Sequence, residues 1–152
     1  MSSHPLLNHK KKVLAYITRG SQLLVFRHTQ FPEAGLQVPA GTVEENESLE
    51  KAVLRETEEE TGQKDFRILA YLGKSFWKYE MDGKHFAEKR YFYHLLPPEG
   101  LPETWLAYEW SPSDGSPAPI EFEYFWMETQ EAAGKLSGQQ DEFLQIFNKN
   151  NT

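Results

Sequence analysis

Two short apolar runs separated by a polar turn open the folded part of the chain. Residues 13–18 and 22–28 read as two strands joined by a turn at Arg19-Gly20-Ser21. Residues 36–38 form a short strand that Pro39 ends, and 40–46 form a loop. A helical period then runs from about residue 47 to 61. Residues 66–80, rich in aromatic and β-branched side chains, return to strand. Asp82-Gly83 is a hairpin turn, and 90–96 is the returning strand. The proline-rich stretch 101–119 reads as a loop holding one short strand at about 105–110. Residues 121–127 are the last strand. Residues 128–136 and 139–148 read as two short helices. Strands before, between and after helices predict an α+β domain with a mixed sheet. It spans residues 1–152 as one unit, with 1–11 as a mobile N-terminal arm.

The helix at 47–61 departs from an ordinary amphipathic pattern. With Leu49 set at zero and ~100° per residue, Ala52 and Val53 fall within ~60° of it and make an apolar face. The next residues on that stripe are Glu56 and Glu60, with Glu59 beside them and Glu58 pointing away. A helix built only to pack continues with Leu or Ala. These acids also crowd the C-terminal half, where the helix dipole is already negative. Gly62 is placed to stop the helix.

Charge strengthens the anomaly. Eight acids and two bases lie between Glu44 and Glu60, a local charge of -6 against -7 for the chain. Two carboxylates ~6 Å apart repel by roughly 3 kcal/mol at an effective dielectric of ~20. A bound divalent cation offsets such repulsion, so the helix is a candidate metal site. The competing reading is a solvated acidic face. It suits Glu44, Glu45, Glu50 and Glu58, and fits Glu56 and Glu60 poorly. The EF-hand pattern is missing.

Composition narrows the setting. The chain has no cysteine, which excludes disulfides and thiolate zinc sites and fits a cytoplasmic location. No stretch approaches the ~20 apolar residues of a membrane span. The acidic balance argues against duplex nucleic acid as a partner, which would need many cations on phosphates. A small phosphorylated ligand bridged by metal is compatible with it, and a homodimer stays open.

The acidic helix follows a fixed pattern. Gly41 is followed by five residues and Glu47, then by seven residues and Arg55-Glu56-Thr57-Glu58-Glu59-Glu60-Thr61-Gly62. This resembles the signature of the Nudix hydrolases: Gly, five residues, Glu, seven residues, then Arg-Glu-apolar-any-Glu-Glu-any-Gly-apolar. Thr57 and Gln63 depart from it at two packing positions. The resemblance covers residues 41–63.

The resemblance implies an α/β/α sandwich, a Mg²⁺ or Mn²⁺ cofactor, and hydrolysis of a nucleoside diphosphate linked to another moiety. Carried onto this chain, Glu56, Glu59 and Glu60 hold the metal, joined by the carbonyl of Ala40. Arg55 orients a glutamate by a two-pronged contact that Lys cannot reproduce. Glu47 anchors the loop to the helix, and Gly41 lets the backbone approach closely. The general base is a box glutamate, Glu56 or Glu59, or comes from a later loop, where Glu99, Glu103, Glu109 and Asp114 are the candidates. The competing class is a Nudix domain that binds a nucleotide-like ligand without turning it over. A third reading is the same box acting on a non-nucleotide diphosphate.

Further residues carry weaker signals. Arg27 and His28, at the end of the second strand, are candidate phosphate contacts or a strand-end polar pair in solvent, with Arg27 the favoured contact. Tyr79, sixteen residues past the box, is a candidate substrate contact hinting at dinucleoside polyphosphates. Lys84, Lys89 and Arg90 form a phosphate-facing patch or a charged strand edge. His94 reads as a satisfied core histidine. The aromatic residues of the late strands read as core and cross-strand partners, one or two of which stack on a base.

Overall fold

A computed structural model describes residues 7–110 and 117–149. The strands are β1 (Leu7–Arg19), β2 (Gln22–His28), β3 (Ala40–Thr42), β4 (Arg67–Met81), β5 (Lys84–Leu96), β6 (Thr104–Glu109) and β7 (Ile120–Glu128). The helices are α1 (Leu49–Thr61), α2 (Thr129–Ala132) and α3 (Gln145–Lys149). The strands form one mixed sheet in the order β4-β5-β1-β2-β7-β6, with β3 pairing with β1. The β1–β5 pair is parallel and the other strand pairs are antiparallel.

The sheet is two half-sheets joined at a narrow seam. β1 and β2 pair only through Thr18–Leu23 and Arg19–Gln22, beside their connecting turn. Beyond that seam the strands part, and the segment from Gln37 to Thr42 lies between them. Gln37 bonds Phe26 of β2 in both directions. The Ala15 N–H donates to the Pro39 carbonyl at 2.9 Å, and Ala40 pairs with Leu14. The sequence reading of 36–38 as a strand and 40–46 as a loop is corrected here. Residues 36 and 37 make isolated bridges, and the strand is Ala40–Thr42.

Both faces of β1 and β2 are buried, which is why alternation there reads as an almost continuous apolar run. Val13, Ala15, Ile17, Leu24 and Phe26 pack with Ala52 and Val53 of α1 on one face. Leu14, Tyr16, Leu23 and Val25 pack with Ala132, Leu136 and Leu144 of the C-terminal segment on the other. The result is an α/β/α sandwich.

Other boundaries shift for local reasons. Residues 7–11, expected in a mobile arm, begin β1 and pair with β5. The helix starts at Leu49, because Ser48 caps it by accepting the Lys51 N–H at 3.2 Å. At its end Gly62 adopts φ 71°, the left-handed geometry that favours glycine, and its N–H reaches the Glu58 carbonyl. The two C-terminal helices shorten to Thr129–Ala132 and Gln145–Lys149, with a 3-10 turn at Ser137–Gln139 between them. Gly134 and Gly138, both at positive φ, interrupt longer helices there. His94 is a structural histidine: its Nε2 meets the Thr18 hydroxyl at 2.7 Å, and burial lowers its pKa. Among the described residues no helix is long and apolar enough to cross a membrane.

Candidate active site

The core-facing stripe of α1 differs from the helical-wheel expectation. Ala52, Val53, Thr57 and Thr61 are the buried residues. Thr57, at a position where the resemblance calls for an aliphatic side chain, fills the packing role itself. The Thr61 hydroxyl donates to the Thr57 carbonyl at 2.7 Å, and the Thr61 carbonyl accepts the Trp105 indole N–H at 2.8 Å. Glu56 and Glu60 therefore flank the core stripe, where the wheel placed them in its centre. They face β3 and the gap between the half-sheets.

Arg55 organises the acids. Its Nε and Nη2 donate to the two oxygens of Glu47 at 2.7 and 2.9 Å. Its Nη1 donates to Glu56 at 2.8 Å and to Glu59 at 3.2 Å, and Nη2 also reaches the Thr42 carbonyl at 3.0 Å. Glu47 in turn accepts the Glu44 N–H at 2.9 Å. The guanidinium fork thus joins the loop after β3, the start of the helix and its middle. These bonds hold the Glu47 carboxyl down at about 2 and push Arg55 further above its ordinary range.

Glu60 sits in the opposite environment. Its Oε1 accepts the Ala40 N–H at 2.9 Å. Burial pushes its pKa up to about 8, against the lowering effect of that bond, and the nearby Glu56 and Glu109 push it further. Burial likewise raises Glu56, opposed by Arg55.

Gly41 has an ordinary reason to be glycine, and it is not conformational. A Cβ placed on it would lie 1.9 Å from Cδ of Glu56 and 2.0 Å from its Oε2. The Glu56 carboxylate occupies the space that any other residue would fill.

These groups line a cleft of about 740 Å³ whose walls include Lys12, Phe26, His28, Phe31, Gln37, Ala40, Gly41, Glu56, Glu59, Glu60, Glu109 and Phe122. One wall is aromatic. His28 meets Phe31 and Phe122 edge-to-face at 4.8 and 5.4 Å, and Phe31 is half exposed. Beyond the acids, Tyr108 and the exposed Trp110 line an adjoining pocket with Glu59 and Glu109.

The four loop carboxylates separate. Glu109, at the end of β6, lines the cleft with Glu56, Glu59 and Glu60. Glu103 pairs with Arg19 at 2.7 Å, Glu99 lies exposed in the turn after β5 outside the cleft, and Asp114 lies outside the described residues.

Two candidate substrate contacts are not in the cleft. Arg27 pairs with Glu123 at 2.7 Å and stacks over Phe125 at 4.8 Å. The period of two puts it on the opposite face of β2 from Phe26 and His28, so of the two strand-end candidates the cleft takes His28. Tyr79 stacks on Phe86 across the β4–β5 ladder at 5.1 Å and an interplanar angle of 13°. Neither Tyr79 nor Phe86 is among the cleft walls. Lys89 and Arg90 also part, as neighbours on a strand must: Lys89 lies over Phe76, while the buried Arg90 lies over Trp77 and donates to the Gly138 carbonyl. Lys12, Phe31, Gln37 and Phe122 were missed. They come from four segments, and only the parting of β1 and β2 brings them together.

The chemistry of this set suits a hard divalent cation, which takes oxygen donors. Burial raises the pKa of both Glu56 and Glu60, at Glu56 in spite of its bond from Arg55, so charge on either carboxylate is costly in the folded chain. The buried Tyr124 hydroxyl, under the influence of Glu60 and Glu109, has no hydrogen-bond partner. As they stand, no three acidic or histidine side chains among the described residues converge tightly enough to chelate an ion. Glu56 and Glu59 are turned onto Arg55, and Glu60 onto the Ala40 N–H.

Comparison with known proteins bears on the fold and the domain. The family model for the NUDIX domain matches residues 8–147. A search of curated proteins by sequence finds no match. Among solved structures, a NUDIX hydrolase from Nitrosomonas europaea is similar with TM-score 0.60 and 20% identity over 94% of this chain and 88% of that one. A MutT protein from Methanosarcina mazei Go1 is similar with TM-score 0.59 and 21% identity over 95% and 96%. An Ap4A hydrolase from C. elegans is similar with TM-score 0.58 and 19% identity over 95% and 100%. At such identities the likeness establishes the fold.

Proposed function

The chain belongs to the Nudix family of pyrophosphate hydrolases, and we propose that it cleaves a small nucleoside diphosphate compound linked to another moiety, with Glu56, Glu59, Glu60 and the Ala40 carbonyl holding Mg²⁺ or Mn²⁺. The observation that carries the reading is one cleft in which four carboxylates, Glu56, Glu59, Glu60 and Glu109, gather opposite an aromatic wall, with burial raising the pKa of Glu56 and Glu60. When bound there, the ion neutralises the diphosphate and makes a water more acidic.

The chain's own residues do the rest. Arg55 fixes the rotamer of Glu56 and ties it to Glu47, so the carboxylate is positioned before substrate arrives. Water oxygen bonds to phosphorus as the bridging P–O bond breaks, giving a nucleoside monophosphate and the phosphorylated second moiety. The water's proton passes to a cleft carboxylate, for which Glu56, Glu59 and Glu109 are the three in place. The wall of His28, Phe31 and Phe122 offers faces on which a base stacks.

The test is product-mass screening of ADP-ribose-type diphosphates, dinucleoside polyphosphates and nucleoside triphosphates in ¹⁸O-water with Mg²⁺ and Mn²⁺. Label is expected on a phosphate product, and activity is expected to vanish in excess chelator. Label on a sugar carbon, or full activity without divalent cation, overturns the reading.

A further inference from the structure

We infer that Lys12 is the substrate-phosphate contact of this site, an assignment that rests on the pyrophosphohydrolase reading above. Lys12 is the one Lys or Arg side chain among the described residues that line the cleft, against four carboxylates there. It also lines a smaller adjoining chamber of about 200 Å³, which shares Phe26, Gln37, Ala40 and Glu60 with the cleft. The side chain therefore stands at the junction of the two spaces, beside the Glu60 end of the acidic cluster. Its charge acts on both Glu56 and Glu60, lowering their pKa values.

The backbone places it firmly. Lys12 pairs with Thr42 of β3 on one side and with Arg90 of β5 on the other. It is one residue from Val13, the partner of Gly41. Strand pairing on both sides fixes its Cα beside the glycine on which Glu56 lies.

Its ammonium is nevertheless uncommitted. Its one ion pair among the described residues is with Glu88, at 4.0 Å, beyond hydrogen-bonding range. Glu88 already accepts from the buried Arg90 at 3.3 Å. Lys12 thus keeps its three donors for a ligand, while Glu88, a wall of the smaller chamber, attracts the amine by charge alone. The compact, rotatable ammonium suits a phosphate as a point charge and does not require the two-pronged geometry that Arg55 supplies to Glu47. An anionic diphosphate brought against four carboxylates needs positive charge from the protein as well as from a metal, and Lys12 is where the chain supplies it.

The experiment compares wild type, Lys12→Gln and Lys12→Arg in two ways. Calorimetry measures binding of inorganic pyrophosphate with Mg²⁺ present, and steady-state kinetics measures KM and kcat on whichever compound of the screen is turned over. Lys12→Gln is expected to weaken pyrophosphate binding and raise KM by about tenfold or more, with kcat falling less, and Lys12→Arg to recover most of the loss. The thermal midpoint without ligand should stay near wild type, since the Glu88 contact is long and partly exposed. Unchanged pyrophosphate affinity in Lys12→Gln overturns the assignment. So does an Arg variant that loses affinity and thermal stability together, which marks a structural lysine. A wild-type protein that turns over nothing in the screen sinks the hydrolase reading instead, and the calorimetry still decides Lys12.

Discussion

Glu47 and Glu60 are the same residue type at the two ends of one box, and they are driven in opposite directions. Glu47 receives two guanidinium hydrogen bonds and a backbone N–H, and is held at about 2. Glu60 receives one backbone N–H, lies among other acids in a low-dielectric wall, and is pushed to about 8. The difference separates two jobs within a single charge cluster. Where the positive charge is supplied by the protein, the carboxylate is a fixed strut. Where it is withheld, burial makes the charged form of the carboxylate costly, and under the proposed function a bound cation would offset that cost.

The contrast breaks most visibly at Glu60. Glu60→Gln keeps the acceptor for the Ala40 N–H and removes only the charge. Turnover is expected to fall by about two orders of magnitude or more while the fold persists, measured as kcat with circular dichroism as the control. Near-normal turnover would place Glu60 with the struts.

Arg55→Lys attacks the other side. Lysine cannot reproduce the fork to Glu47 together with the bond to Glu56. Positioning changes of this kind cost about 10- to 100-fold in activity or metal affinity. The expected result is a loss in that range for Mn²⁺ affinity, with a lowered thermal midpoint because the loop after β3 loses its tie to the helix. Unaltered Mn²⁺ affinity would show that Glu56 and Glu59 need no orienting partner.

The smallest effect is on stability against pH. In metal-free protein, folded Glu60 keeps its proton up to about pH 8, whereas the unfolded chain releases it near 4.5. Between those values the folded state binds more protons, so stability falls as pH rises. Glu47 runs the other way: its contribution is present above about 4.5 and is lost as pH falls toward 2. Thermal midpoints of the apoprotein should therefore decline from pH 5 to 8, and Mg²⁺ or Mn²⁺ should remove that decline where Na⁺ at equal ionic strength does not. A flat profile, or equal rescue by Na⁺, would reduce Glu60 to an ordinary screened carboxylate.

Several features were legible in the chain because they are local. Gly62 and the 3.6-residue period mark the helix and its end, and Asp82-Gly83 turns the hairpin, since capping and turn geometry depend on a few adjacent residues; the Ser48 cap, equally local, went unread and the helix start was set two residues early. The spacing from Gly41 to Gly62 carried the family. The resemblance implied that Arg55 orients a glutamate by two prongs without saying which one, and the guanidinium reaches Glu47, Glu56 and Glu59 at once. The reason for Gly41 did not follow: it answers to the Glu56 side chain fifteen residues away, which no local rule contains.

What the sequence determined by itself was the box, its charge and the class of chemistry that such a charge requires. Tertiary structure decided which face each strand residue occupies, and so exchanged Arg27 for His28, because both faces of β2 are apolar and its period of two has no preferred phase. It also decided that Glu109 joins the cluster while Glu103 pairs with Arg19. Above all, it set Lys12 beside Glu60 on the same cleft. That meeting depends on β1 and β2 parting beyond a two-rung seam, a long-range event to which charge pattern and periodicity along the chain are blind.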